Sequence, residues 1–130
     1  MGQQQLLLIV LGVIIVGIAV AVGIDQFSTS AAEANRDALV LDLNFLSSLA
    51  RAHYSRPVEL TGGGNSFADF QIPEALLETA NGTLEHTQTG HKTDHIHFTA
   101  VGKEIGENGL TPVKIEFRIT IDEIKISKKN

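Results

Sequence analysis

Residues 6–24 read LLLIVLGVIIVGIAVAVGI, an apolar run without one charge. As a helix rising about 1.5 Å per residue it is roughly 28 Å long, close to the ~30 Å hydrocarbon thickness of a bilayer. A helix that is apolar on every side is buried on every side, in lipid or against neighbours of its own kind. Only Met1-Gly2-Gln3-Gln4-Gln5 precedes it, and the first basic residue is Arg36. A secretory signal has a basic start, a shorter apolar run and a small-residue cleavage site, so a cleaved signal is not expected. Gly2 does not open a myristoylation motif, because Leu6 stands where Ser or Thr is required. A permanent membrane anchor and the assembly helix of a filament remain.

Downstream, Asp25-Gln26-Phe27-Ser28-Thr29-Ser30 is the first polar patch, and from Ala31 helix formers resume with charges spread among them. Ala34, Ala38, Leu39, Asp42, Phe45, Leu46, Leu49, Ala50 and His53 follow the i, i+3, i+4, i+7 rule, while Asn35, Arg36, Asp37, Ser47 and Arg51 fall elsewhere. Pro57 lacks an N–H and restricts Arg56, which ends the helix near residues 54–56. One helix over about residues 2–55 is therefore expected. Its first half is apolar all round and its second half amphipathic. Gly12, Gly17 and Gly23 are its weak points, and with no proline in the run it is expected to stay largely uninterrupted.

The region after Pro57 changes character. Thr61-Gly62-Gly63-Gly64-Asn65-Ser66 is a turn-rich, flexible loop and lacks the Lys-Ser/Thr ending of a phosphate-binding loop. Residues 72–78 suit a short helix with Pro73 in its first position, closed by Asn81-Gly82. Residues 84–89 and 96–101 form a hairpin, with Ile96, Phe98 and Ala100 alternating against His95, His97 and Thr99. Val113, Ile115, Phe117, Ile119 and Ile121 then mark one face of the clearest strand. The alternation slips at Asp122-Glu123, which implies a bulge or turn before a short edge strand blunted by Lys125, Lys128 and Lys129. The fold class is α+β, with the second half of the helix packed on an antiparallel sheet of three or four strands. The chain divides into an apolar half-helix, 1–25, and a globular domain, 26–130, made of half-helix 26–56, loop and short helix 57–82, and sheet 83–130.

Composition narrows the function. The chain has 130 residues, net charge -5 and no cysteine. Acidic and basic residues are interspersed, with no basic stripe to neutralise phosphates, so nucleic acid is not an expected partner. Without disulfides, a small domain depends on packing or self-association. No motif brings a nucleophile, a base and an orienting group together, so an enzyme is not expected.

Few residues offer site chemistry. His95 and His97 share a strand face, with His86 and His91 on or near the adjoining strand and turn, so three imidazoles are within conceivable reach of zinc or copper. The exposed face of a hairpin explains polar residues without a metal, and no acid or cysteine stands at ligand spacing. Solvated histidines and no bound metal or other cofactor are the expectation. His53 is expected to be packed or hydrogen-bonded. Asn81-Gly82-Thr83 matches the N-glycosylation acceptor pattern but is also an ordinary turn. Ser28, Thr29 and Ser30 suit either O-linked sugar or a polar boundary. Gly17 with Ala21, and Ala19 with Gly23, are small pairs at i, i+4 of the kind that lets helix backbones approach closely, although small residues are also common in membrane spans.

A long N-terminal helix, apolar for its first twenty-odd residues and amphipathic thereafter, with a small antiparallel sheet on its second half, resembles type IV pilins and pseudopilins. The resemblance is specific over the first thirty residues and topological beyond Pro57. It implies a structural subunit held in the cytoplasmic membrane, then polymerised through the apolar helix into an adhesive filament at the cell surface. The subunit itself, the membrane, a pilus assembly machinery and a prepilin peptidase are the partners implied. In that family a basic leader is removed, and the mature chain often starts with Phe or Met, carries Glu at its fifth position and turns apolar at the sixth. Met1 and the onset at Leu6 fit that register, as a mature chain or with processing between Gly2 and Gln3. Gln5 stands in place of the glutamate, so the ionic pairing with a neighbour's N-terminal amine cannot form and only a neutral amide hydrogen bond remains, with Gln3, Gln4 and Gln5 sitting where the family keeps its charge. A pseudopilin of a secretion machine and a single-pass anchored binding module are the alternatives.

Overall fold

The computed structural model describes residues 2–86 and 94–129. Helix α1 runs from Gly2 to Ser55 without a break, about 80 Å long, and passes through Gly12, Gly17 and Gly23 as a regular helix. A short α-helix, α2 (Glu74–Leu77), and five strands follow: β1 (Glu78–Thr79), β2 (Gly82–His86), β3 (His95–Ile105), β4 (Pro112–Thr120) and β5 (Ile124–Lys128). The strands form one antiparallel meander in the order β1-β2-β3-β4-β5, and the second half of α1 lies across one face of it. The fold is α+β.

The sheet has five strands where sequence led us to expect three or four. The extra one, β1, has two residues, too few for alternation to be visible, and it exists by pairing Thr79 with Gly82 around the turn at Ala80-Asn81. Strand β3 also runs beyond residue 101 to Ile105, past a register shift where Gly102-Lys103-Glu104 carries no apolar signal. Pro73 precedes the first turn of α2 as its N-cap and is not a helical residue. The slip at Asp122-Glu123 is a turn: Thr120 and Glu123 are bonded across it, and β5 returns antiparallel to β4.

The core is a sandwich of one helix stripe and one sheet face. Leu39, Leu43, Leu46 and Ala50 of α1 are fully buried with Phe98, Ala100, Val113, Phe117 and Ile119 of the sheet. Four of the five apolar positions read from β4 thus face inward, whereas Ile121, beyond the strand, is half-exposed.

The buried stripe of α1 is rotated from the expected one. It follows Ala32, Arg36, Leu39, Leu43, Leu46, Ser47 and Ala50, while Ala34 and Phe45 point outward. The sheet takes the stripe of Leu39, Leu43 and Leu46, and the two polar residues on it each make a local bond. Ser47 Oγ donates to the Asn44 carbonyl at 2.7 Å, and Arg36 pairs with Glu33 at 2.5 Å.

The glycine loop is a helix cap. The amides of Gly63, Asn65 and Gly64 donate to the carbonyls of His53, Tyr54 and Arg56 at 2.7, 2.8 and 2.9 Å, filling acceptors that every helix C-terminus leaves open. A Cβ on Gly62 would fall 2.2 Å from the Arg56 carbonyl oxygen, and one on Gly63 1.8 Å from that of Ser66. What looked like a flexible loop is glycine-rich because the chain must double back tightly over the helix end.

Candidate functional site

From Gly2 to Ser30 every side chain of α1 is exposed. Fourteen large apolar residues of the run, from Leu6 to Ile24, keep between 53 and 69 % of their surface in contact with solvent. Exposed apolar patches on soluble monomers rarely exceed a few hundred Å², so a bare cylinder of this length marks a surface that another phase or molecule covers. The helix is long and apolar enough to cross a membrane, by length and composition.

The small residues on this cylinder have no use inside the chain. Gly12, Gly17 and Gly23 have open space wherever a side chain would stand, and Ala19 and Ala21 lie on the same exposed surface. Gln3, Gln4 and Gln5 are exposed in the first turns, while Met1 lies outside the described residues. Ser28, Thr29 and Ser30 sit on the exposed helix at the border with the domain, and Thr29 Oγ1 donates back to the Asp25 carbonyl at 3.0 Å.

The apolar surface does not stop where the domain begins. Phe27, Leu41 and Phe45 are 77, 70 and 56 % exposed. With Ala34 and Ala38 they line one outer stripe of α1, opposite the leucines that face the sheet. Sequence reading placed Phe45 in the core. The spacing Phe27, Ala34, Ala38, Leu41, Phe45 was a second helical stripe all along, and only the choice of the other one by the sheet revealed it.

Polar contacts fix the sheet against α1. Asp42 Oδ2 accepts from Thr79 Oγ1 at 3.1 Å and from Asn81 Nδ2 at 3.0 Å, and Asn35 Nδ2 donates to the Asn81 carbonyl at 2.8 Å. Asn81 thus presents its amide nitrogen, the atom that a sugar would occupy, to the helix. Close by, a Cβ on Gly102 would fall 2.0 Å from Asn35 Oδ1. At the border with the apolar cylinder, Arg36 lies 3.6 Å from Glu107, and Lys128 also bonds to Glu107, so the β3–β4 loop and β5 are tied to α1 through charge. The Lys128 hydrogen bond and charge hold the exposed Glu107 carboxyl below its usual range, with Arg36 adding to the effect.

Among the described residues, His86 is separated from His95 and His97. His86 is paired with Phe98 in register and packs its ring edge-on to Phe98 at 5.4 Å, on the core side of the sheet. His95 and His97 stand on the opposite face with ring centroids 5.3 Å apart, and His95 Nδ1 is 2.8 Å from Asp94. His91 lies outside the described residues. Two faces of one sheet cannot ligate one ion, and among the described residues no three His, Cys, Asp or Glu side chains are grouped to hold a metal. His53 Nε2 is bonded to the Ala68 carbonyl at 3.0 Å, and its ring meets Phe70 edge-on.

Comparison with protein-family models, with curated proteins and with solved structures gives no match.

Proposed function

We propose that this chain is the structural subunit of a pilus-like filament, stored in a membrane by its apolar half-helix and polymerised through that helix with the sheet domain outward. The observation that carries the proposal is the continuity of apolar surface from the bare cylinder at residues 6–24 onto the outer stripe with Leu41 and Phe45. A plain membrane anchor accounts for the cylinder and leaves that stripe in water. A bundle of identical helices accounts for both, because each helix offers neighbours an apolar side from Leu6 to Phe45.

The open positions at Gly12, Gly17 and Gly23 support close backbone approach between such helices. Outside lipid, each Leu, Ile or Val covered by a neighbour contributes roughly 1.5–3 kcal/mol, so a dozen per subunit would make the fibre hard to dissolve. The resemblance to type IV pilins supports the same reading, and Gln5 in place of glutamate then makes the N-terminal contact an amide hydrogen bond. The subunit's partners are further copies of itself, the membrane before assembly, and an export and assembly machinery. Its role is mechanical and adhesive.

Electron microscopy of material sheared from cells expressing the chain tests this reading, with fibres of constant diameter expected. Phe45→Ser is expected to leave the melting temperature of the detergent-solubilised subunit unchanged while fibre yield falls sharply. Fibres formed in undiminished yield by Phe45→Ser would remove the outer stripe from the assembly contact. A chain that stays monomeric in the membrane, with no fibres at all, would favour the anchored-module alternative.

A further inference from the structure

The outer face of the sheet carries a row of bases that neither the core nor the helix explains. Along β4, Val113, Ile115, Phe117 and Ile119 turn inward, so Arg118 faces away from α1. In register, Arg118 stands opposite His97 of β3 on one side and Lys125 of β5 on the other. Arg118 and Lys125, two cations directly opposite one another on neighbouring strands, cost stability. The nearby acids are drawn sideways: Glu116 pairs with Lys129 at 3.4 Å and Glu123 with Lys125 at 3.8 Å.

Beside this row lies a cleft of about 100 Å³ lined by Arg118, Thr120, Glu123 and Lys125. Its floor is held by the β4–β5 turn. Thr120 Oγ1 donates to the Glu123 carbonyl at 2.9 Å and accepts from the Glu123 amide at 3.0 Å. At ~30 Å³ per water, that volume takes about three waters, or one tetrahedral oxyanion with part of its hydration.

We propose that this cleft binds a small tetrahedral oxyanion, phosphate or sulfate, either free or carried on a polysaccharide. Arg118 supplies the planar fork that matches two oxygens, and Lys125, its register partner on β5, supplies a second charge. Glu123 sets the affinity, because its carboxylate holds Lys125 until the anion displaces it. Among the described residues, Glu85 on β2, His95, His97 and Asp94 on β3 and its approach, Lys114 and Glu116 on β4, and Lys129 after β5 are the remaining titratable groups on this face. The chain's net charge of -5 does not forbid the site, since salt confines such fields to roughly 10 Å at 0.1 M. The inference is independent of filament assembly.

The test is equilibrium dialysis of the full-length chain in neutral detergent against labelled inorganic phosphate and sulfate at low salt. One saturable site per chain is expected, weakened about tenfold by Arg118→Gln, as for loss of one charge-assisted hydrogen bond. Arg118→Lys should fall between, Lys125→Gln should weaken binding, and Glu123→Gln should strengthen it. Lys103→Gln should change nothing. Circular dichroism checks that each variant is folded. Dextran sulfate binding that inorganic sulfate competes away and Arg118→Gln weakens would place the same group on a polymer. No saturable site, a loss in Arg118→Gln no larger than in Lys103→Gln, or dextran sulfate binding indifferent to Arg118→Gln would overturn the proposal.

Discussion

The two halves of α1 are one continuous helix with opposite accounts of burial. From Gly2 to Ser30 the side chains are mostly apolar and all exposed; from Ala31 to Ser55 polar and charged residues are frequent, yet Arg36 retains only 8 % exposure and four positions reach zero. Residue type therefore says what a surface wants, and only neighbours say whether it has it. The second half finds its neighbour within its own chain, in the sheet. The first half has none there, and on our proposal finds it in lipid and then in other copies.

Matched truncations should separate the halves most widely. Leu43→Ala removes a fully buried side chain facing the sheet and is expected to cost about 2–5 kcal/mol, read as a lower melting temperature of the detergent-solubilised subunit. Val16→Ala, on the bare cylinder, should leave that melting temperature unchanged. Equal effects would mean that the first half packs on its own domain after all.

Gly102→Ala probes a close approach between helix and sheet. The new methyl would press on Asn35 and Leu39, an overpacking expected to cost about 1–3 kcal/mol by chemical denaturation. Asp42→Ala strips the acceptor shared by Thr79 and Asn81. A loss of about 1–3 kcal/mol follows for stranded donors, together with faster amide exchange in β1 and β2.

The smallest effect is the charge contact at the border of the halves. Glu107 titrates below its ordinary value of 4.5 in the folded chain, so it stabilises the fold above that pH and loses the contribution as pH falls through its depressed folded value. Glu107→Gln should therefore melt slightly lower than the parent at neutral pH and identically in strong acid. High salt should shrink the difference, because the group is exposed.

Much of the architecture was legible because it is local. Nineteen apolar residues in a row, Pro57 after a helical pattern, and Val113 to Ile119 in alternation each declare an element from their own spacing. The short strand β1 was not legible, since two residues have no period. Nor was the cap in Gly62-Gly63-Gly64, because a glycine needed for close approach looks the same as one that is merely flexible. The side of the sheet on which His86 stands was hidden for a related reason: proximity in sequence put it near His95 and His97, and strand register put it on the other face.

The apolar cylinder, its length and the change of character after Ile24 were determined by sequence alone, because a helix's own period and the chemistry of its side chains set them without outside help. Which stripe of the second half would be buried was decided only in three dimensions. Two stripes of α1 satisfy the same periodicity, and the sheet chose the one with Leu39, Leu43 and Leu46, leaving Phe27, Leu41 and Phe45 outside. Periodicity names the candidate faces of a helix, whereas the volume and polar partners offered by a distant part of the chain select among them.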